Sequence, residues 1–235
     1  MARLEEELKK VNPIELVKDP YVTFTRYDPK YEYGLRIQWV LIGSMGDPKT
    51  WGGTETVTMM KKEGMDGLAG CLIDLNTLQE ILYKRPSGDG MRTFTHNLQS
   101  MLLADSNSVV GREIVLEQIR HTAKTAQRDP YTDKYIDLYY TGHGGENTGN
   151  WVFKDGVITL QDVLDCFQQE EGTRKFVVRI YADCCYSGQW CEMLKKKEVK
   201  PKCKKMVLMI WAAADYDQLG TEMVFSNLLK GQLPD

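Results

Sequence analysis

Disulfide-grade cysteine content, membrane-length apolar runs and a charge excess of one sign are all missing from this 235-residue chain, and each absence removes a class of function. Six cysteines are too sparse for a disulfide scaffold and read as free thiols. No apolar run approaches the roughly 20 residues that cross a bilayer, and Met1-Ala2-Arg3-Leu4-Glu5-Glu6-Glu7 lacks the apolar centre of a secretion signal. The expectation is a cytoplasmic protein with no membrane partner. A formal net charge of -3 gives no electrostatic footprint for nucleic acid. Internal repeats and low-complexity tracts are lacking too.

What is present alternates between strand and helix signals. Residues 1–35 read as an N-terminal arm: a short charged helix, then an extended stretch punctuated by Pro13, Pro20 and Pro29 among tyrosines. Arg36–Ile42 is the first strand, followed by a long glycine-rich loop to Gly67. Leu68–Tyr83 has helical spacing, Asn97–Leu103 reads as a strand, and Ser106-Asn107-Ser108 offers caps for a helix over Val110–Ala126. Tyr135–Tyr140 is a strand and Trp151–Leu160 holds a hairpin signal at Lys154-Asp155-Gly156. A helix over Asp162–Gln169, a strand over Phe176–Tyr181, a lysine-rich stretch, a buried strand over Met206–Ala213 and a helix over Gly220–Lys230 complete the chain. This alternation predicts one α/β domain, a mainly parallel β-sheet sandwiched between helices.

Two of those strands run straight into glycine-bearing motifs, Thr141-Gly142-His143-Gly144-Gly145 and Asp183-Cys184-Cys185-Tyr186-Ser187-Gly188. Parallel strands ending side by side would bring an imidazole and a thiol to the carboxyl edge of the sheet, where open α/β sheets keep their ligands. A thiol at its ordinary pKa is only a few per cent thiolate at neutral pH, so a nucleophilic cysteine needs a base, and histidine supplies one. Glycine lets backbone N–H groups approach a substrate carbonyl that becomes an oxyanion. Singly, His143 reads as a turn histidine, and Cys184 and Cys185 as small core residues. The paired placement shifts the reading towards acyl transfer. His96 and His121 lie in ordinary strand and helix surroundings and read as structural.

Thr141–Gly144 and Asp183–Gly188 resemble the two catalytic motifs of the caspase-like cysteine peptidases, most closely those of metacaspases. Trp39–Gly43, Gly67–Asp74 and Ala212–Gln218 agree in order, and Trp151–Leu160 is similar to the corresponding segment of animal caspases. The resemblance runs from about Arg36 to Lys230. It implies a caspase-like six-stranded, mainly parallel sheet, with large-subunit-like residues 36–190, a basic linker at 191–205 and small-subunit-like residues 206–235. It makes Cys185 the nucleophile, His143 its base, and the Gly144 and Cys185 backbones the oxyanion hole, with Cys184 directed to the interior. It further implies a zymogen and a part in programmed cell death. Tyr186 departs from the histidine common there in metacaspases, and the chain stops where the family has a last edge strand.

The same resemblance implies a first substrate pocket lined by Cys71, Asp74, Thr141 and Asp183. Carboxylates suit an Arg or Lys side chain and repel Asp, and Asp183 stands where aspartate-cleaving caspases carry glutamine. Asp215 and Asp217 fall where caspases supply an arginine. The expectation is therefore a cysteine endopeptidase acting after Arg or Lys on protein or peptide substrates. Cleavage after Asp, or a catalytically silent caspase-like scaffold, are the alternatives. Self-cleavage after Lys196 or Lys197 is a further expectation. No cofactor is required for the chemistry. Calcium stays open as an activator, with Asp155, Asp162 and Glu192 as candidate ligands, while a zinc site from Cys184 or Cys185, Cys191, Cys203 and His143 lacks close ligand pairs. Monomer and homodimer are both compatible with the sequence.

Overall fold

A computed structural model describes residues 35–46, 68, 70–84, 94–105, 108–128, 134–169, 173 and 175–220. In chain order its elements are β1 (Leu35–Ser44), α1 (Gly70–Lys84), β2 (Phe94–Ala104), α2 (Arg112–Arg128), β3 (Lys134–Gly142), β4 (Trp151–Phe153), β5 (Gly156–Ile158), α3 (Leu160–Asp165), β6 (Phe176–Asp183), α4 (Gly188–Lys195) and β7 (Met206–Ala212). Five strands form one sheet in the order β2-β1-β3-β6-β7, with every neighbouring pair parallel; β4 and β5 form a separate antiparallel hairpin. Parallel neighbours need long connections, and helices fill several of these.

Side chains alternate across each strand, so the apolar runs feed two cores. Ile42, Leu138, Tyr140, Ile180 and Ala182 face the helices α2, α3 and α4 together with the hairpin. Trp39, Leu41 and Tyr139 face Leu72, Leu75 and Leu78 of α1. The expected single-domain parallel sheet between helices is what the structure shows. The sheet has five strands among the described residues, one fewer than the resemblance implies, and the arm at 1–34 and the expected helix from Gly220 to Lys230 lie outside them apart from Gly220.

Four local expectations need correction. Of the expected caps, Ser106 and Asn107 lie outside the described residues and Ser108 Oγ accepts the Val110 N–H (2.9 Å); at the α2 N-terminus the Arg112 N–H donates to the Asp155 carboxylate in the hairpin turn (2.8 and 3.1 Å), a partner 43 positions away. The helix expected over Asp162–Gln169 starts earlier and is shorter, because Thr159 and Asp162 form a reciprocal capping box at its start. Residues 188–195 form a helix where only a basic stretch was read, so the first five residues of the proposed linker are helical. Its apolar Trp190 is buried, and Met193 and Leu194 pack on the core. Finally, β7 is the last strand of the sheet among the described residues, with Met209 and Trp211 exposed rather than buried.

The largely apolar strand β3 also carries a charge. Asp137 is buried on the α1 face of β3, and Arg179, its register partner on β6, grips it with two 2.6 Å contacts. The same guanidinium lies 4.7 Å above the Tyr135 ring. Removing one member of such a pair leaves an uncompensated charge. Asp137→Ala is therefore expected to lower unfolding free energy by about 3 kcal/mol, read from the urea midpoint, with Asp137→Leu/Arg179→Met costing less than the single change.

Candidate active site

The register builds the site. Gly43, Thr141 and Asp183 are aligned partners across β1, β3 and β6, so three strands end in one row at the carboxyl edge. His143 follows β3 by one residue and Cys185 follows β6 by two. A Cβ built on Gly144 would lie 1.8 Å from the Cys185 carbonyl oxygen and 3.0 Å from its nitrogen. The loop bearing the imidazole and the turn bearing the thiol thus pack backbone against backbone, and only glycine permits it.

The two adjacent cysteines diverge. Cys184 is buried in the core shared with α2 and α4, and burial, then the neighbouring Cys185, Asp183 and Cys71, push its thiol well above the ordinary range. Cys185 is partly exposed. The exposed thiol is the one next to the histidine loop.

The hairpin orients the backbone after His143. Gly144 and Trp151 form an antiparallel bridge whose hydrogen bonds run from Val152 N–H to His143 O (3.3 Å) and from Gly145 N–H to Asn150 O (2.9 Å). In such a non-hydrogen-bonded pair the N–H of Gly144 itself points away from the hairpin.

A second group gathers beside it on the α1 face. Thr141 Oγ1 donates to Asp74 Oδ2 (2.9 Å), the Tyr139 hydroxyl donates to Asp183 Oδ2 (3.1 Å), and Cys71 Sγ lies 3.8 Å from Ser44 O. Burial first, then the charges of Asp183, Asp74 and Cys71, hold the Tyr139 phenol well above its ordinary range. Asp74 bonded to Thr141, Asp183 beside Thr141 in register, and Cys71 one turn before Asp74 on α1 form one buried group. Tyr139 belongs to it and was not singled out from the sequence; its signal was the two-residue spacing from Thr141.

The turn after Cys185 is clasped by the loop that follows β7. Tyr186 N–H donates to Gln218 O (2.9 Å), Gly188 N–H to Ala214 O (2.9 Å) and Ala214 N–H to Ser187 Oγ (3.1 Å). Tyr186 is held at a φ of 56°, in the left-handed region that costs a non-glycine residue on the order of 1 kcal/mol. Asp215 and Asp217 are exposed on this loop, outside the buried cluster. Asp155 serves α2, Asp162 serves the α3 cap and Arg112, and Glu192 pairs with Lys195. Cys203 is buried in the other core and Cys191 Sγ lies 3.9 Å from Ile210 O. Among the described residues no group of three or more His, Cys, Asp or Glu could hold a metal ion. His121 is exposed on α2, and no described helix is long and apolar enough to cross a membrane.

No family model matches the chain, and no curated protein matches it. Among solved structures, it is similar to one described as "structure of pro-sf-caspase-1", at TM-score 0.38 and 12% identity over 70% of this chain and 50% of that one. It is also similar to the PilB minor pilin from Streptococcus sanguinis, at TM-score 0.35 and 12% identity over 88% of this chain and 62% of that one. The chain spans about half the length of the caspase zymogen, and at these scores neither likeness carries weight against the residues themselves. What fold and site define is a class: a parallel α/β protein with a Cys-His sheet edge beside buried carboxylates.

Iodoacetamide near neutral pH is expected to modify Cys185 at least 10-fold faster than Cys184, since burial both hides the latter and keeps it protonated. Peptide mass mapping of a time course, with Cys184→Ala and Cys185→Ala as references, reads the ratio.

Proposed function

We propose that this protein is a cysteine endopeptidase that hydrolyses peptide bonds after Arg or Lys. The observation that carries the reading is the packing of Gly144 on the Cys185 backbone, which brings the residue after His143 into contact with the thiol-bearing turn. Cys185 Sγ attacks the scissile carbonyl while His143 takes the thiol proton. The carbonyl oxygen becomes an oxyanion held by the N–H groups of Gly144 and Cys185. The C–N bond then breaks, the amine leaves with the proton from His143, and a thioester remains. Water attacks the thioester as His143 accepts its proton, releasing the acid and restoring the thiol.

The basic side chain is received by Asp74 and Asp183, oriented by Thr141 and Tyr139. Both carboxylates are buried, so entry requires their cover to open, and a cation inside then interacts at low effective dielectric. An aspartate side chain would meet like charge there, which disfavours cleavage after Asp. A silent scaffold is the second reading, and turnover separates the two. On fluorogenic peptides differing only in Arg, Lys or Asp before the cut, assayed with and without calcium, the Arg or Lys peptides are expected to be cleaved. Cys185→Ala and His143→Ala should each cost at least about 1,000-fold in kcat, and Asp183→Asn about 100-fold in kcat/KM on the Arg peptide. Cleavage of the Asp peptide alone, or activity surviving in Cys185→Ala, would overturn the proposal.

Self-cleavage after Lys196 or Lys197 would run between copies. About 12 Å of helix separates the start of α4, beside the Cys185 turn, from Lys196, and the N–H groups of Lys196, Lys197 and Glu198 are tied back to Glu192, Leu194 and Met193. Full-length Cys185→Ala mixed with wild type is expected to be cut at a rate that rises with wild-type concentration, read on a denaturing gel. A rate independent of concentration would refute the intermolecular route.

A further inference from the structure

Tyr140 ends the apolar alternation of β3 on the face opposite Asp183, so its ring lies in the core with α4 and the hairpin. Its hydroxyl, at the top of that core, donates to the His143 carbonyl at 2.8 Å and accepts the Val152 N–H at 3.1 Å. The same Val152 N–H reaches the His143 carbonyl at 3.3 Å, and Ser44 Oγ donates to the Val152 carbonyl at 2.6 Å. One phenol thus joins the residue that carries the imidazole to the hairpin strand that supports it.

The ring is fixed as firmly as the hydroxyl. It stacks on Trp151 at 4.6 Å, and Trp151 stacks on Trp190 of α4 at 4.9 Å. This column spans the strand before His143, the hairpin after it and the helix that follows Cys185. A Cβ on Gly142 would stand 2.5 Å from the Tyr140 hydroxyl oxygen and 2.9 Å from the Ser44 carbonyl, so the glycine before His143 leaves the space that the hydroxyl occupies. Burial pushes the phenol well above its ordinary range, so it keeps its proton and remains a donor at any working pH.

We infer that Tyr140 is a positioning residue, whose hydroxyl fixes the His143 backbone, and through it the imidazole, relative to Cys185. It touches no reacting atom. This deepens the peptidase reading and rests on it only for the turnover arm of the test. A buried hydroxyl lost from a hydrogen bond costs modest stability, whereas displacement of a catalytic group by about 1 Å costs up to about 100-fold in rate.

The test uses full-length Tyr140→Phe, which keeps the ring and its stacking. On a basic fluorogenic peptide kcat is expected to fall about 10- to 100-fold with KM within about twofold. In a Cys184→Ala background, the rate of Cys185 alkylation by iodoacetamide at fixed pH should fall, because the base is no longer held beside the thiol. Gly142→Ala, which crowds the hydroxyl from its other side, should reproduce the kcat loss and covers the case in which Tyr140→Phe does not fold. A folded Tyr140→Phe with kcat and Cys185 alkylation rate within twofold of its parent would overturn the assignment, as would a folded Gly142→Ala of full activity. A wild type that turns over no peptide would instead sink the peptidase reading, and the alkylation rate would still decide the role of Tyr140.

Discussion

The contact between Gly144 and the Cys185 backbone is the constraint on which the rest of the site depends. Two residues that are 41 positions apart in the chain are pressed so closely that a single methyl group would collide with a carbonyl oxygen. The contact exists because β3 and β6 are register neighbours that end in the same row. It holds because the histidine loop is bridged to the hairpin on one side and the cysteine turn is hydrogen-bonded to the 213–220 loop on the other. Neither loop owes its shape to its own sequence alone.

Polarity is divided between the faces of the sheet. The face against α2, α3 and α4 is apolar, and there Cys184 and the Tyr140–Trp151–Trp190 column give the sheet edge its rigidity. The α1 face carries Asp74, Asp137, Thr141, Asp183 and Arg179 among aromatics, including the Trp39–Tyr181–Trp211 stack. The period of two in a strand makes this division possible: Asp183 and Cys184, or Tyr139 and Tyr140, are adjacent in sequence and serve opposite purposes. Asp137 and Arg179 neutralise one another lower in the sheet, while Asp74 and Asp183 are set at its edge beside the candidate nucleophile.

Much of the frame was legible from residue patterns. Branched and aromatic runs marked the five sheet strands to within a few residues, and the Lys154-Asp155 turn marked the hairpin. The helix over 188–195 escaped because it is only eight residues long and the lysines that follow dominate the local composition. The cap on α2 escaped because Asp155 is distant in sequence, and capping rules look only at the preceding residues. The exposure of Met209 and Trp211 on β7 escaped because an apolar run does not reveal how many neighbours its strand will have.

By itself the sequence determined the alternation of strands and helices, and which residues bear reactive groups: one imidazole and two thiols at strand ends, with acids nearby. Those are local properties, set by side-chain periodicity and by where glycine interrupts it. Tertiary structure alone decided that Tyr139 joins Asp183, that Asp155 of the hairpin holds the start of α2, and that a tyrosine hydroxyl reaches the carbonyl of His143. Such relations depend on strand register and on the pairing of faces, which arise only when segments far apart in the chain compete for the same buried space.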